Sequence, residues 1–365
     1  MKSHRCWAEI DRAALRHNAR VVRELLPGGT TVAAVIKANA YGHGLAAVAH
    51  TLADEVDLFG VANLIEATEA RRVVSHPLLI LGPALPEERA EIVAQGFIPA
   101  VSTLEEATDY SKAAAGGSVS LNFKIDTGMG RMGFPEHDAI ALLNAVAALP
   151  NVQLHSVSTH LPAADEDTVY TQSQLARVRE LIARMRAEVP GSYKVHALPS
   201  AGVIGFRDSA FDMVRAGLML YGASPMAEFQ ERLRPVMSVK THVVLIRDVP
   251  AGTSISYGRT FITKRPTRVA TLSVGYADGY RRSLSNRGAY VLVRGQRCPV
   301  LGRVTMDLTM VDVTEVSGLE IGDEAVLIGR QGGEQILARE VAERAGTIAW
   351  EIFTGIGTRV TRVYV

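Results

Sequence analysis

Cysteine is scarce: Cys6 and Cys298 are the only two in 365 residues, far apart and without C-x-x-C spacing. That argues against a disulfide framework, a zinc knuckle or a dithiol redox pair, and both are expected to be reduced thiols. An excess of one charge is missing too, since 39 basic residues face 38 acidic ones and no long run of Lys and Arg occurs. Nothing here attracts a phosphate backbone or an anionic membrane over a broad face, so a small molecule is the expected partner, with no nucleic acid and no membrane. No segment offers about 18 uninterrupted apolar residues, the length of a membrane-spanning helix. The opening MKSHRCWAEID carries Glu9 and Asp11 where a signal peptide is apolar, so the expected location is the cytoplasm. Internal repeats and low-complexity tracts are absent as well.

What is present is a hydrophobic content of 47% against 21% charged residues, enough for a sizeable core. The length suggests one large and one smaller domain. From residue 31 onward, short β-branched runs alternate with helical patterns: TVAAVIKANA (31–40), then 58–63, 78–81, 97–102, 119–126, 154–160, 194–200 and 211–217. Segments such as 86–95, 135–149 and 171–189 carry apolar residues at helical spacing between them. Eight strands alternating with helices predict a (β/α)8 TIM-type barrel over residues 11–230, with an open doubly wound sheet as the alternative. Beyond that, alternating strands and turn residues predict a mostly-β domain over 231–365. The strand-like HRCWAEI within residues 1–10 is a candidate addition to it.

In a barrel the chemistry lies where strands end, which points to Lys37, Asn39, Asn63, Gly82, Ser102, Lys124, Asp126, His160, Ser200 and Arg215. Lys37 closes an apolar run in AVIKANAYGHG (34–44). A lysine there is often a solvated cap, but a partly desolvated amine among other cations becomes a nucleophile toward aldehydes. The tyrosine and glycines that follow suit a phosphate-bearing aldehyde cofactor, offering a hydroxyl and closely approachable backbone. TGMGRMG (127–133) contains G-x-G-x-x-G, yet 139–164 holds no Asp or Glu to take a ribose, so the dinucleotide reading fails. A glycine-rich loop that frees Arg131 to grip a carboxylate fits better.

AVIKANAYGHG resembles the pyridoxal phosphate attachment signature of the alanine racemases. KIDTGMGRMG, STHLPAADE, MVRAGLMLYG, SISYGRTF, GYADGYRR, VTMDLTMVDV and WEIFTGIGTRV continue the resemblance in order along almost the whole chain. It implies a fold-type III enzyme, a barrel followed by a β domain, that uses pyridoxal 5'-phosphate to interconvert L- and D-alanine for peptidoglycan. It also implies a homodimer with shared active sites. By the same resemblance Lys37 is the covalent attachment lysine and one base, and Tyr257, from the partner subunit, is the other. Tyr41, Ser200 and the backbone of Gly217 and Leu218 match phosphate-binding positions. Arg215 matches the arginine facing the pyridine nitrogen, and His160 a histidine near the ring. Arg131 matches the arginine near the substrate carboxylate, Met306 the residue whose backbone meets the substrate, and Lys124 a lysine often carbamylated.

These residue types suit the chemistry, because inverting an α-carbon is most direct with a base on each face. A guanidinium, always charged, cannot protonate a pyridine nitrogen as an acid could. That favours clean racemisation at Arg215, whereas decarboxylases on a similar barrel usually place an acidic residue there. A serine or broad-specificity racemase remains the main alternative; a non-catalytic carrier of the cofactor would resemble the barrel alone. Pro199, Thr305 and Thr354 depart from common forms of the family. Thr358 stands where many members have a tyrosine, which implies a wider substrate entrance.

Overall fold

Buried β-branched runs become strands. TVAAV (Thr31–Val35) is buried at every position, as a strand covered on both faces must be. The computed structural model describes residues 4–365. In it eight strands pair in parallel in chain order: Thr31–Val35, Leu58–Val61, Leu78–Ile80, Ile98–Val101, Val119–Asp126, Val152–Ser158, Lys194–His196 and Met213–Ala216. The eighth pairs with the first, Met213 opposite Thr31 and Ala216 opposite Ala34. Between the seventh and eighth, Asp212 N–H donates to Val195 O at 3.1 Å and Arg215 N–H to Leu198 O at 3.0 Å, which completes the ring. Helices Leu45–Leu52, Leu64–Arg71, Arg89–Ala94, Leu104–Ala113, Ala139–Ala147, Thr168–Glu188 and Ser200–Gly205 follow successive strands, and a 3-10 turn, Leu218–Tyr221, follows the eighth. This is the (β/α)8 barrel that the alternation predicts. Ala33, Leu58, Leu79, Ile98 and Met213 form a buried cluster drawn from five of its strands.

Helix starts follow capping chemistry. Asn63, Thr103 and Asp167 each accept the N–H three residues on, from Glu66, Glu106 and Tyr170. One expected run is shorter than its composition suggests: TVAAVIKANA stops being a strand at Val35, because the backbone turns left-handed beyond Lys37.

The chain divides into two compact units: Leu15–Ala40 with Leu45–Leu233, and the chain up to Ala14 with Tyr41–Gly44 and Arg234–Val365. The second is built on the long strand Met237–Val249. Its first half lies between Cys6–Ile10 and Glu324–Gln331, and its second half pairs with Thr267–Leu272. Shifts in register at Val239/Lys240 and Val243/Leu245 bend it between those partners. Cys6–Ile10 also pairs in parallel with Thr361–Tyr364. Two helices not evident in the sequence pattern, Ala338–Ala345 and Ala349–Gly355, interrupt the strands. Among the described residues no helix is long and apolar enough to cross a membrane.

Tyr41–Gly44 leaves the barrel unit to join this second one, and its glycines are there for contact. A Cβ on Gly42 (φ 77°) would lie 2.3 Å from Phe353 O, and one on Gly44 (φ 98°) 1.9 Å from the Tyr364 hydroxyl. The sequence reading reserves that space for a phosphate; here Phe353 and Tyr364 fill it.

Candidate active site

Lys37 sits one residue past the first barrel strand, after Ile36, whose N–H donates to Gly60 O at 2.8 Å. Ala38, Asn39, Ala40 and Tyr41 then all have φ of 52–53°, a left-handed turn without glycine. Each such residue costs roughly 1–2 kcal/mol relative to the right-handed form. Asn39 Oδ1 accepts the Leu45 N–H at 2.8 Å and so starts the next helix. Asn39, Asn63 and Ser102, polar residues at strand ends, therefore serve helix starts: Asn63 by its side chain, Ser102 by its N–H donating to Glu106.

The Lys37 amine has its pKa lowered, first by burial and then by Arg131 and Arg215, with Glu66 opposing. Burial, followed by the same two arginines, depresses Lys124 still further. Lys124 is only 9% exposed, and no hydrogen-bond acceptor among the described residues reaches its amine. Two amines held toward the neutral form in one strand-end cluster are the condition under which lysine acts as a nucleophile.

Arg131 rides on a loop organised by Asp126. That carboxylate accepts the N–H groups of Gly128, Met129, Gly130 and Arg131 at 2.8–3.1 Å. Burial works to raise its pKa, but the four backbone bonds outweigh it and hold the carboxyl below the ordinary range. The Arg131 guanidinium makes no ion pair among the described residues, so it is available for an anion.

Arg215 is anchored within the barrel by its two terminal nitrogens. It donates to the carbonyls of His196, Thr159 and Ala197 and to Nδ1 of His196 and of His160. Burial, with help from Arg131, lowers its pKa to about 10, so it stays a cation at neutral pH. Both histidines accept at Nδ1 and therefore carry their proton at Nε2. Burial, then the surrounding cations led by Arg215, pulls His160 down to about 2 and His196 well below its ordinary value. Beside them Ser200 Oγ accepts from the N–H of Gly217 at 3.0 Å and of Met219 at 3.3 Å. Its hydroxyl proton and the Leu218 N–H remain for a phosphate, at the ends of the seventh and eighth strands where barrels gather such groups. A half-buried primary amine, a hydroxyl with an adjacent backbone donor, a guanidinium and a neutral imidazole form a donor set that fits pyridoxal phosphate.

The β unit supplies the other predicted residues. Tyr257 lies in the turn of the short hairpin Ser254–Ile255 and Phe261–Ile262, 70% exposed. Positive φ at Ser256, Gly258 and Arg259 shapes that turn, and Ser256 Oγ donates to Arg303 O at 2.6 Å. Met306 is held by its carbonyl, which accepts the Ala277 N–H at 3.0 Å, while Thr305 O accepts Tyr276 N–H. A Cβ on Gly275 would come within 2.3 Å of both carbonyls, so only glycine permits the approach. Asp278 accepts the Gly275 N–H and pairs with Arg359, which also donates to Asp307. That network ties the Met306 loop to the segment bearing Thr358, an exposed residue. Tyr41 is buried, which pushes its hydroxyl up to about 12 and keeps it a donor.

The structure thus gathers Lys37, Lys124, Arg131, His160, Ser200, Arg215, Gly217 and Leu218 in the barrel unit, and Tyr41, Tyr257 and Met306 in the other. The sequence reading overlooked Glu66, His196 and Asp278. Only Glu66 had a signal, NLIE, a helix-start pattern.

Residues 10–225 match the model of the alanine racemase N-terminal domain, and residues 236–364 that of the C-terminal domain. An alanine racemase of Halothermothrix orenii is 41% identical, over 98% of this chain and 96% of the relative. Among solved structures, an alanine racemase from Bacillus anthracis with bound L-Ala-P superposes with a TM-score of 0.91 at 34% identity, covering 100% of this chain and 96% of the other. Another, from Bartonella henselae with covalently bound pyridoxal phosphate, gives 0.91 at 28% identity, with both chains covered completely.

Proposed function

The chain belongs to the alanine racemase family of isomerases, and from that premise we propose that it interconverts L- and D-alanine with two bases, Lys37 and the Tyr257 of a partner subunit. The cofactor we assign is pyridoxal phosphate, which when bound supplies an electron-withdrawing ring that stabilises charge at Cα. Lys37 would hold it covalently, Ser200, Tyr41 and the backbone at Gly217 and Leu218 its phosphate, Arg215 its pyridine nitrogen, and His160 would flank its ring.

Arg131 grips the substrate carboxylate, for which its guanidinium is free of ion pairs among the described residues, and the Met306 backbone meets the substrate. Lys37 takes or returns the Cα proton at its amine on one face, and Tyr257 at its phenolic oxygen on the other. Arg215, being charged and already donating to five acceptors, does not deliver a proton to the pyridine nitrogen, which favours racemisation over transamination. The D-alanine would supply peptidoglycan in the cytoplasm.

The observation that carries this reading is Lys37: a strand-end amine shifted toward neutrality by burial and Arg131, in a chain that matches alanine racemases end to end. A chiral assay on single enantiomers tests it, with borohydride reduction and peptide mapping to locate the cofactor. Equal interconversion of the alanine enantiomers and a label on Lys37 are expected. Carbon dioxide release, or a label on another lysine, would overturn it. The exposed, short Thr358 favours a broader substrate range as a second reading; Thr358→Tyr is then expected to raise the alanine-to-serine ratio of kcat/KM, by a graded amount.

A further inference from the structure

We propose that Glu66 is a positioning residue for Lys37: one carboxylate oxygen holds the left-handed turn behind the lysine while the other is anchored at the neighbouring barrel strand. This rests on Lys37 as the attachment lysine. Glu66 Oε1 accepts the Ala38 N–H at 2.7 Å and lies 3.4 Å from the Asn39 N–H. Oε2 accepts the Ala62 N–H at 2.8 Å, just beyond the second strand. The residue itself is fixed, its own N–H donating to Asn63 Oδ1 at 3.0 Å.

The fourth strand shows what such a glutamate does without this role. Thr103 caps the following helix, and Glu106 reaches back with Oε2 to the N–H groups of Ser102 and Thr103. Glu66 makes the same helix start, and its second oxygen goes to the backbone that follows Lys37. The first N–H groups of any helical turn have no acceptor inside it, whichever its hand. Here a carboxylate supplies that acceptor, ties the first βα loop to the second, and sets the direction in which Lys37 leaves the backbone. Its charge also favours the protonated Lys37 amine, against the effect of Arg131 and Arg215. A reacting group must be held to within about 0.5 Å by such supports.

The test compares Glu66→Ala and Glu66→Gln with Glu106→Ala, which removes an equivalent helix start elsewhere. In the apoprotein, trace acetylation of Lys37 is measured against the exposed Lys264. Both Glu66 variants are expected to raise that ratio at least three-fold at constant pH, since the carboxylate that favours the charged amine is gone while the arginines remain. Capture of pyridoxal phosphate by Lys37, quenched with borohydride, is expected to slow at least ten-fold in Glu66→Ala and less in Glu66→Gln, which keeps one acceptor oxygen. Glu106→Ala is expected to change neither. If the Glu66 variants behave as Glu106→Ala does in both readouts, Glu66 is a helix cap only and the proposal is wrong. Should Glu66→Ala not fold, Glu66→Gln decides by the acetylation ratio. Failure of the unsubstituted protein to capture the cofactor at Lys37 would instead overturn the proposed function, and the acetylation readout, which needs no cofactor, keeps the two apart.

Discussion

At the scale of single residues, charge in a dry place decides the chemistry. Lys124 is buried, two arginines lower its pKa, and no acceptor among the described residues reaches it, so its amine is biased toward the neutral form that adds to carbon dioxide, losing one proton to water. The resulting carbamate would pair with Arg131. Carbon-13 bicarbonate is expected to give a carbamate NMR signal that Lys124→Ala abolishes; no signal at neutral pH would count against it. His160 and His196 are neutral in the fold, whereas free histidine titrates near 6.5. Below about pH 6.5 the unfolded chain therefore binds protons that the folded one refuses. Stability that is intact above that pH falls as the pH drops toward the folded values, by up to about 1.4 kcal/mol per pH unit for each histidine. Denaturant unfolding at pH 7, 6 and 5 should show this slope, reduced in His196→Asn. A stability flat over that range would refute neutral burial.

At the scale of elements, the turn after Lys37 reverses a common rule. Glycine in an exposed right-handed helix costs about 1 kcal/mol relative to alanine. Ala38 is exposed but left-handed, with φ 53°. Relief of roughly 1–2 kcal/mol of backbone strain outweighs the extra chain entropy of roughly 0.5–1 kcal/mol. Ala38→Gly should leave the apoprotein as stable or up to about 1 kcal/mol more so. Ala183→Gly, exposed within Thr168–Glu188, should lose about 1 kcal/mol. Equal losses in both would mean that the turn is not left-handed in solution.

For the molecule as a whole, the decisive question is where the proposed second base comes from. Tyr257 is 70% exposed on a hairpin turn of the β unit, more than 200 residues after Lys37. A symmetric dimer would complete two sites at once by exchanging that turn. Inactive Lys37→Ala and Tyr257→Phe proteins, unfolded together and refolded, should recover roughly a quarter of the unsubstituted activity, because about half the dimers are mixed and each has one intact site of two. Recovery at background would refute shared sites.

The barrel and the β-rich C-terminal part were legible because their signals are local. Runs such as TVAAV and the helical spacing of 171–189 need only their own residues to declare a period, and eight alternations constrain the topology. The strand-end position of Lys37, Lys124 and Arg215 followed from that order. What the sequence could not convey is whatever depends on two distant segments meeting. Asn39 looks like a site residue, yet nothing in KANAY announces a left-handed turn, whose first N–H groups meet the Glu66 carboxylate from 28 positions further along the chain. His196 reads as one more strand residue until Arg215, 19 positions on, donates to it. Composition and period are sums over neighbours in the chain, whereas strain, desolvation and hydrogen-bond partners are properties of neighbours in space. The former settled the fold of this protein, and the latter decided the charge and aim of its lysines.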